Sequence, residues 1–388
     1  MNNIPISKPI IAKNAKKYLL ECLSSGWVSS KGPYVEKFEG RFADFVGTKY
    51  AVATSSGTHS LHLALASLNI GPGDEVIVPT LTMIAAALPV IYVGAKLVLV
   101  DSEEITGNMD VFKVEEKITK KTRAIIAVHL NGHPLDMDPL ISLARHHNLS
   151  IIEDAAESHG AQYQFSHKRR RLSWLKVGSI GDLGCFSFYG NKIITTGEGG
   201  MVVTNNKQLA DKVRYLRNFA RSTSKHFYHQ QIAFAYRMSS LQAALGLAQL
   251  EQADKIIELK SEFASLYMKH LRNIKSLQFP TQKPYAKRIY WNFDIIIKEN
   301  SPVTRDELAE ILEKNSIETR IFVIPLHKQP ALIKLGLFKK EKYPVAEKLS
   351  RQGLSLPLGP DIKKEEITYI CNLIRQTLHG RDTFVQKE

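Results

Sequence analysis

Cysteine is scarce in this chain: Cys22, Cys185 and Cys371 are the only three in 388 residues. An odd number set far apart gives no disulfide framework and suits a reducing, cytoplasmic setting. No apolar run reaches the roughly 18 residues that a membrane helix needs, and no leader pattern opens the chain, so neither a membrane span nor a signal peptide is expected. Neither G-x-G-x-x-G nor G-x-x-x-x-G-K-[ST] follows a strand-like run, which removes support for a dinucleotide fold or a P-loop. Internal repeats and low-complexity tracts are absent. The net charge is +14, yet only Lys168 to Lys176 forms a dense basic run. That run lacks repeated aromatics and matches no nucleic-acid module. It reads as a solvated loop, and the excess positive charge as steering for an anionic substrate, with no nucleic-acid partner.

What is present is a core. Hydrophobic residues make up 44% and charged residues 23%, the balance of a globular protein long enough for two domains. Short apolar runs (50–54, 75–78, 96–101, 124–129, 150–154, 184–188 and 200–204) alternate with helical patterns, which predicts a mostly parallel sheet wrapped by helices. From Ser239 a helical period runs to about Ile274, about 36 residues or about 54 Å if unbroken. It divides a large domain, residues 1–248, from a connecting helix and smaller α+β domain, residues 249–388. In the latter, strands are predicted over 290–298 and 318–323, and Thr304 and Glu307 form a capping box for a helix. The polar tail after His379 is predicted to fray.

Three features point to chemistry. Lys192 stands in a turn after the apolar run Gly184–Phe188, five residues beyond Ser187. A lysine desolvated on a rigid scaffold has a lowered pKa and a nucleophilic amine, as a Schiff-base lysine requires; a plain turn lysine is the alternative. Glu153 and Asp154 end a buried strand, where a carboxylate of an open α/β sheet points into the ligand crevice. Asp154 is thus a candidate partner for a pyridinium, or else a helix N-cap. Glu157, read as one helical turn on, reaches for a ring hydroxyl or is a first-turn acid favoured by the helix dipole. Ser55-Ser56-Gly57-Thr58 joins a strand to a helix, the arrangement that presents free N–H groups to a phosphate. Together these are the parts a pyridoxal 5'-phosphate site needs. His129, His133 and His159 have no Cys or acidic cluster to complete a coordination shell, so no metal is expected. Cys185 reads as a core residue, since no base is placed beside it.

Five motifs in order carry a resemblance: Gly26-Trp27-Val28-Ser29-Ser30, Ser56-Gly57-Thr58, Glu153-Asp154-Ala155-Ala156-Glu157-Ser158-His159-Gly160, Phe186-Ser187-Phe188-Tyr189-Gly190-Asn191-Lys192 and Thr196-Gly197-Glu198-Gly199-Gly200. From about Ile4 to about Leu378 the chain resembles the DegT/DnrJ/EryC1/StrS sugar-nucleotide aminotransferases, most of all the perosamine and viosamine synthase branch. The resemblance implies a fold type I PLP-dependent transferase. It implies Lys192 as the cofactor-bonding lysine and general acid/base, and Asp154 on the pyridine nitrogen. Glu157 would meet the ring hydroxyl, and Ser187, Gly57 and Thr58 the phosphate. Lysine at position 192, where dehydrating relatives carry His, implies amino transfer. The implied reaction runs from glutamate to C4 of a nucleotide-linked 4-keto-6-deoxyhexose, with GDP ahead of dTDP and UDP, and C3 as the alternative position. Trp27, Arg237 and His327 are implied on the substrate side, His327 with a solvent-facing loop histidine as alternative. Two residues depart from the pattern. Met83 stands where an aromatic residue covers the ring, and Ala235 where an asparagine reaches the neighbouring subunit's phosphate in a homodimer with shared active sites. These departures raise a second reading, a non-catalytic regulatory subunit of the same fold.

Overall fold

The structure, a computed structural model, describes residues 3–165, 173–222 and 224–379. The first half of the described chain holds nine strands: β1 (Tyr50–Thr54), β2 (Glu75–Pro79), β3 (Lys96–Val100), β4 (Thr122–Val128), β5 (Ser150–Asp154), β6 (Gln162–Phe165), β7 (Ser173–Lys176), β8 (Leu183–Ser187) and β9 (Gly200–Thr204). Seven of them join in one sheet, in the order β1-β9-β8-β5-β4-β2-β3. Its pairs are parallel except those of β9, which runs against both β1 and β8. The strands are continuous apolar runs because helices cover both faces. These are α1 (Ala15–Ser25), α2 (Pro33–Val46), α3 (Gly57–Ser67), the short α4 (Leu88–Tyr92), α5 (Met137–His146), α6 (Lys207–Arg217) and α7 (Ser240–Leu250). Alternate residues of each strand serve opposite layers. Val52 of β1 and Val202 of β9 pack with Leu61 of α3 and Val213 of α6. Their neighbours Ala51 and Val203 pack with Phe38 and Phe42 of α2 and Ala243 of α7.

The single helix expected from Ser239 to Ile274 is two. α7 ends at Leu250, and α8 (Ala253–Leu271) begins beyond Gln252, whose φ −112°, ψ 7° leaves the helical region. The break is where the N-terminal segment docks: the side-chain amides of Gln249 and Gln252 both donate to Ile10 O, and Gln249 accepts from Ala12 N–H. α7 packs on the main sheet side, against α1 and α2, whereas α8 packs against the C-terminal helix.

Beyond α8 come β10 (Leu277–Gln278), β11 (Ala286–Lys287), β12 (Phe293–Ile297), α9 (Arg305–Lys314), β13 (Arg320–Ile321), α10 (Pro330–Lys334), α11 (Pro344–Gln352), β14 (Gly353–Leu356) and α12 (Lys364–His379). Strands β10-β12-β14-β13 form an antiparallel sheet. The predicted strands at 290–298 and 318–323 are shorter than expected, and α9 opens with the expected Thr304–Glu307 capping box. One face of this sheet (Phe293, Ile295, Leu354, Leu356) packs with Tyr267 of α8, Leu308 of α9 and Ile370 of α12.

Ser173–Lys176 is not loop but β7, which pairs with β6 in a three-stranded sheet with β11. The rest of the basic run, through residue 172, and the tail from residue 380 lie outside the described residues.

Candidate active site

The site begins where β1 hands over to α3. Ser56, in extended backbone, caps the helix by accepting the His59 N–H at 3.1 Å. Gly57 and Thr58 then open α3, where backbone N–H groups have no intrahelical acceptor. Facing them is Ser187, the last residue of β8. A Cβ at position 57 would stand 2.7 Å from Ser187 Cβ, so glycine alone lets helix and strand approach this closely. Ser56, Gly57, Thr58 and Ser187 line one wall of a cavity of about 510 Å³. Free N–H groups, a helix N-terminus and a hydroxyl are a phosphate's donor set.

Asp154, at the end of β5, forms part of the cavity floor. It is 8% exposed; Oδ1 accepts the Ala156 N–H at 3.1 Å, and Oδ2 has no hydrogen-bond partner among the described residues. Burial pushes its carboxyl up to about 6 from 3.8, while Lys192 opposes the shift. No helix follows β5: residues 156–157 and 159–160 form turns, so the alternative N-cap and helix-dipole readings of Asp154 and Glu157 do not apply. Glu157 instead accepts the Asn131 N–H at 2.9 Å through Oε2 and turns Oε1 toward Lys192, 4.0 Å away.

Lys192 follows β8 in a turn closed by its own N–H to Tyr189 O. Its Nζ lies 3.7 Å from the centroid of the Trp291 ring. That indole is fixed in place, because Nε1 donates to Asn191 O at 3.0 Å. Burial depresses the Lys192 pKa, Arg320 adds to the effect, and Glu157 and Asp154 partly offset it. An amine with a lowered pKa, a buried carboxylate with an uncommitted oxygen, and a helix N-terminus thus surround one cavity. The donor set fits pyridoxal phosphate. Met83, 55% exposed, lines the same cavity.

A fixed network behind the floor was not anticipated. Glu153 is fully buried and accepts four donors: the N–H groups of Gly178, Ile180 and Gly181 at 2.6–2.7 Å, and His129 Nε2 at 2.9 Å. His129 Nδ1 accepts the Leu135 N–H, so the ring donates from Nε2. A glutamate inside an otherwise apolar strand was the available signal. The smaller sheet and the segment leading into β12 supply residues that sequence reading missed, namely Arg320 and Ser355 from the strands and Trp291 and Asn292 from that segment, all lining the cavity. Nothing in the local pattern marks them.

Three expected substrate residues are not brought to this cavity within one chain. His327 is 2% exposed, neither at the mouth nor in solvent, with one ring nitrogen bonded to Thr80 Oγ1 at 2.8 Å and the other to Glu347 at 3.0 Å. Arg237 bonds Asn218 Oδ1 and lies over Phe219 in a separate basic cleft. Trp27 is half exposed and lines no wall of the Lys192 cavity. Ala235 is exposed and bridges backbone to backbone with Asn218. Cys185 is buried and its thiol is pushed up by burial. Among the described residues no group of three or more His, Cys, Asp or Glu side chains is placed to hold a metal ion, and no helix is long and apolar enough to cross a membrane.

Comparison with known proteins adds an independent line. The profile of the DegT/DnrJ/EryC1/StrS aminotransferase family matches residues 9–375. The chain is 42% identical over 376 residues to a GDP-perosamine synthase of Escherichia coli O157:H7, covering 97% of this chain and 99% of that one. It is 40% identical over 379 residues to a GDP-perosamine synthase of Caulobacter vibrioides, covering 97% and 98%. Among solved structures, DesV of S. venezuelae superposes with a TM-score of 0.89 at 33% identity, covering 98% of this chain and all of that one.

Proposed function

The chain belongs to the DegT/DnrJ/EryC1/StrS aminotransferase family, whose members depend on pyridoxal phosphate, and from that premise we propose that it moves an amino group from glutamate to C4 of a GDP-linked 4-keto-6-deoxyhexose. The observation that carries the reading is the convergence of Lys192, Asp154 and the α3 N-terminus on one cavity. When bound, pyridoxal phosphate supplies an electron sink for breaking a C–H bond beside nitrogen. The N–H groups of Gly57 and Thr58 and the Ser187 hydroxyl would hold its phosphate. Asp154 Oδ2 would hold the ring-nitrogen proton, and Glu157 would orient the ring hydroxyl. Met83 would cover one ring face through its polarizable sulfur. Lys192 Nζ would take the proton from Cα of the donor in one half-reaction and deliver a proton to C4 of the sugar in the other, its lowered pKa favouring the free amine that accepts a proton. Trp291, over the amine, would keep water from it.

The same reading takes the working form as a cytoplasmic homodimer in which each site borrows from the other subunit, and the two domains as residues 1–248 and 249–388. Trp27 and Arg237, directed away from their own chain's cavity, are the residues such an arrangement would offer across. The test is incubation with glutamate and a panel of GDP-, dTDP- and UDP-linked 4-keto sugars, reading product mass and the aminated carbon. An aminated product on C4 of the GDP sugar is expected. Amination of none of the panel would overturn the proposal.

A further inference from the structure

Behind the turn that carries Lys192 lies a second and much smaller cavity, of about 10 Å³. One water molecule fits a space of roughly 10–15 Å³. The N-terminal segment closes the cavity through Ser7, Pro9 and Ile10, the turn borders it at residues 190–193, and α8 reaches it through Lys260. Ile10 is fastened there, since its carbonyl takes the side-chain amides of Gln249 and Gln252.

Two groups in its wall are short of hydrogen bonds. Lys260 is 2% exposed and has three protons on its ammonium to place. Leu358 O, 2.5 Å away, is its one hydrogen-bond acceptor among the described residues. Burial pulls its pKa down to about 7, and Asp361 opposes the shift. Asn191 Oδ1 is buried with no partner among the described residues. The main-chain oxygen of Asn191, by contrast, is taken by Trp291 Nε1 at 3.0 Å. A donor and an acceptor buried beside one cavity, both short of a partner, call for a group between them. No step of the amino transfer described above uses Lys260.

We propose that this cavity is the site of one ordered water, which accepts from Lys260 Nζ, donates to Asn191 Oδ1 and so holds the turn that presents Lys192. The inference rests on the reading of Lys192 as the lysine that bonds the cofactor. Chemistry selects the occupant. An anion such as chloride would accept from the ammonium but would face the lone pairs of Oδ1. A metal cation would be repelled by the ammonium. Water satisfies both groups, since its oxygen accepts and its protons donate. Asn191 is then held from two sides, by Trp291 at its main chain and by the water at its side chain. Lys260 acts through Asn191 and is a positioning residue.

The test has a structural arm and a kinetic arm. A high-resolution crystal structure of the parental holoenzyme, which needs no variant, should show one ordered water about 2.7–3.2 Å from both Lys260 Nζ and Asn191 Oδ1. A direct bond between the two side chains, an anion in the cavity, or no ordered density there would overturn the site. The kinetic arm follows, by absorbance, the rate at which cofactor-free protein bonds pyridoxal phosphate. Lys260→Met removes a buried charge at similar volume, a change that often leaves stability level or higher, so the variant should keep the parental melting profile. Lys260→Met and Asn191→Leu should each slow bonding about tenfold. The double variant should be no slower, because both changes lose the same water. Parental rates, or losses that multiply in the double variant, would overturn the positioning role. A chain that bonds the cofactor but aminates no sugar would sink the acceptor reading and leave this site standing.

Discussion

Gly57 and Ser187 meet so closely that a Cβ on residue 57 would lie 2.7 Å from Ser187 Cβ. Contacts under 3 Å between such atoms do not occur, and both sides are backbone-anchored, so an alanine must push α3 away from β8. Gly57→Ala is therefore expected to weaken pyridoxal phosphate binding at least tenfold while the protein stays folded. Equilibrium titration of cofactor-free protein measures it. Unchanged affinity would remove the α3 N-terminus from the phosphate site.

Asp154 couples the site to pH. Its carboxyl is raised by burial to about 6 from 3.8. A folded pKa above the unfolded one means that folding takes up a proton between the two values. Stability from this group is then present below about pH 4 and lost as pH rises through 6. Asp154→Asn should therefore stabilise the cofactor-free protein at pH 7.5, by up to about 3 kcal/mol, with the gain vanishing near pH 4. In the loaded enzyme the same change should slow amino transfer by at least a hundredfold. Melting curves at the two pH values and single-turnover rates with glutamate check both halves. A pH-independent stability difference would mean that Asp154 is ionised and solvated.

Glu153 should matter for the fold rather than the chemistry. Its two oxygens take three backbone N–H groups and His129 in a fully buried place. Glu153→Gln turns an NH₂ toward those donors, which is expected to cost about 3 kcal/mol or more. Denaturant midpoints at constant slope read the loss. A cost under about 1 kcal/mol would mean that the network rearranges freely.

These particulars also show what the sequence made legible. Lys192, Asp154 and Gly57 are local signals: each sits in the turn after a strand, at a strand end or at a helix start that its own neighbours specify. Trp291, Arg320 and Ser355 are not, because the smaller sheet and the segment entering β12 carry them to the cavity from about 100 residues or more beyond Lys192. The break at Gln252 was invisible for the same reason, since Ile10 and Ala12 dock there from the far end of the chain. His327, placed at the site by the resemblance or in solvent as the alternative, is in neither place, because Thr80 and Glu347 hold its ring in a buried position.

Ala235 offers a test of the shared-site proposal. It is exposed, in the loop whose Tyr236 stacks on His59 of α3 at 3.7 Å. Ala235→Asn in a homodimer is expected to tighten cofactor binding about tenfold, one charge-assisted hydrogen bond at its lower end. Sedimentation with cofactor titration checks assembly and affinity together. A fully active monomer would contradict the shared site.

The central claim is that Lys192 is the amine that holds the cofactor. Borohydride reduction in the presence of pyridoxal phosphate, followed by digestion and peptide mass analysis, tests it most directly. The account predicts the cofactor's mass on the peptide containing Lys192, loss of activity with labelling, and no label on a folded, inactive Lys192→Ala variant. Label on a different lysine, or turnover by Lys192→Ala, would contradict it.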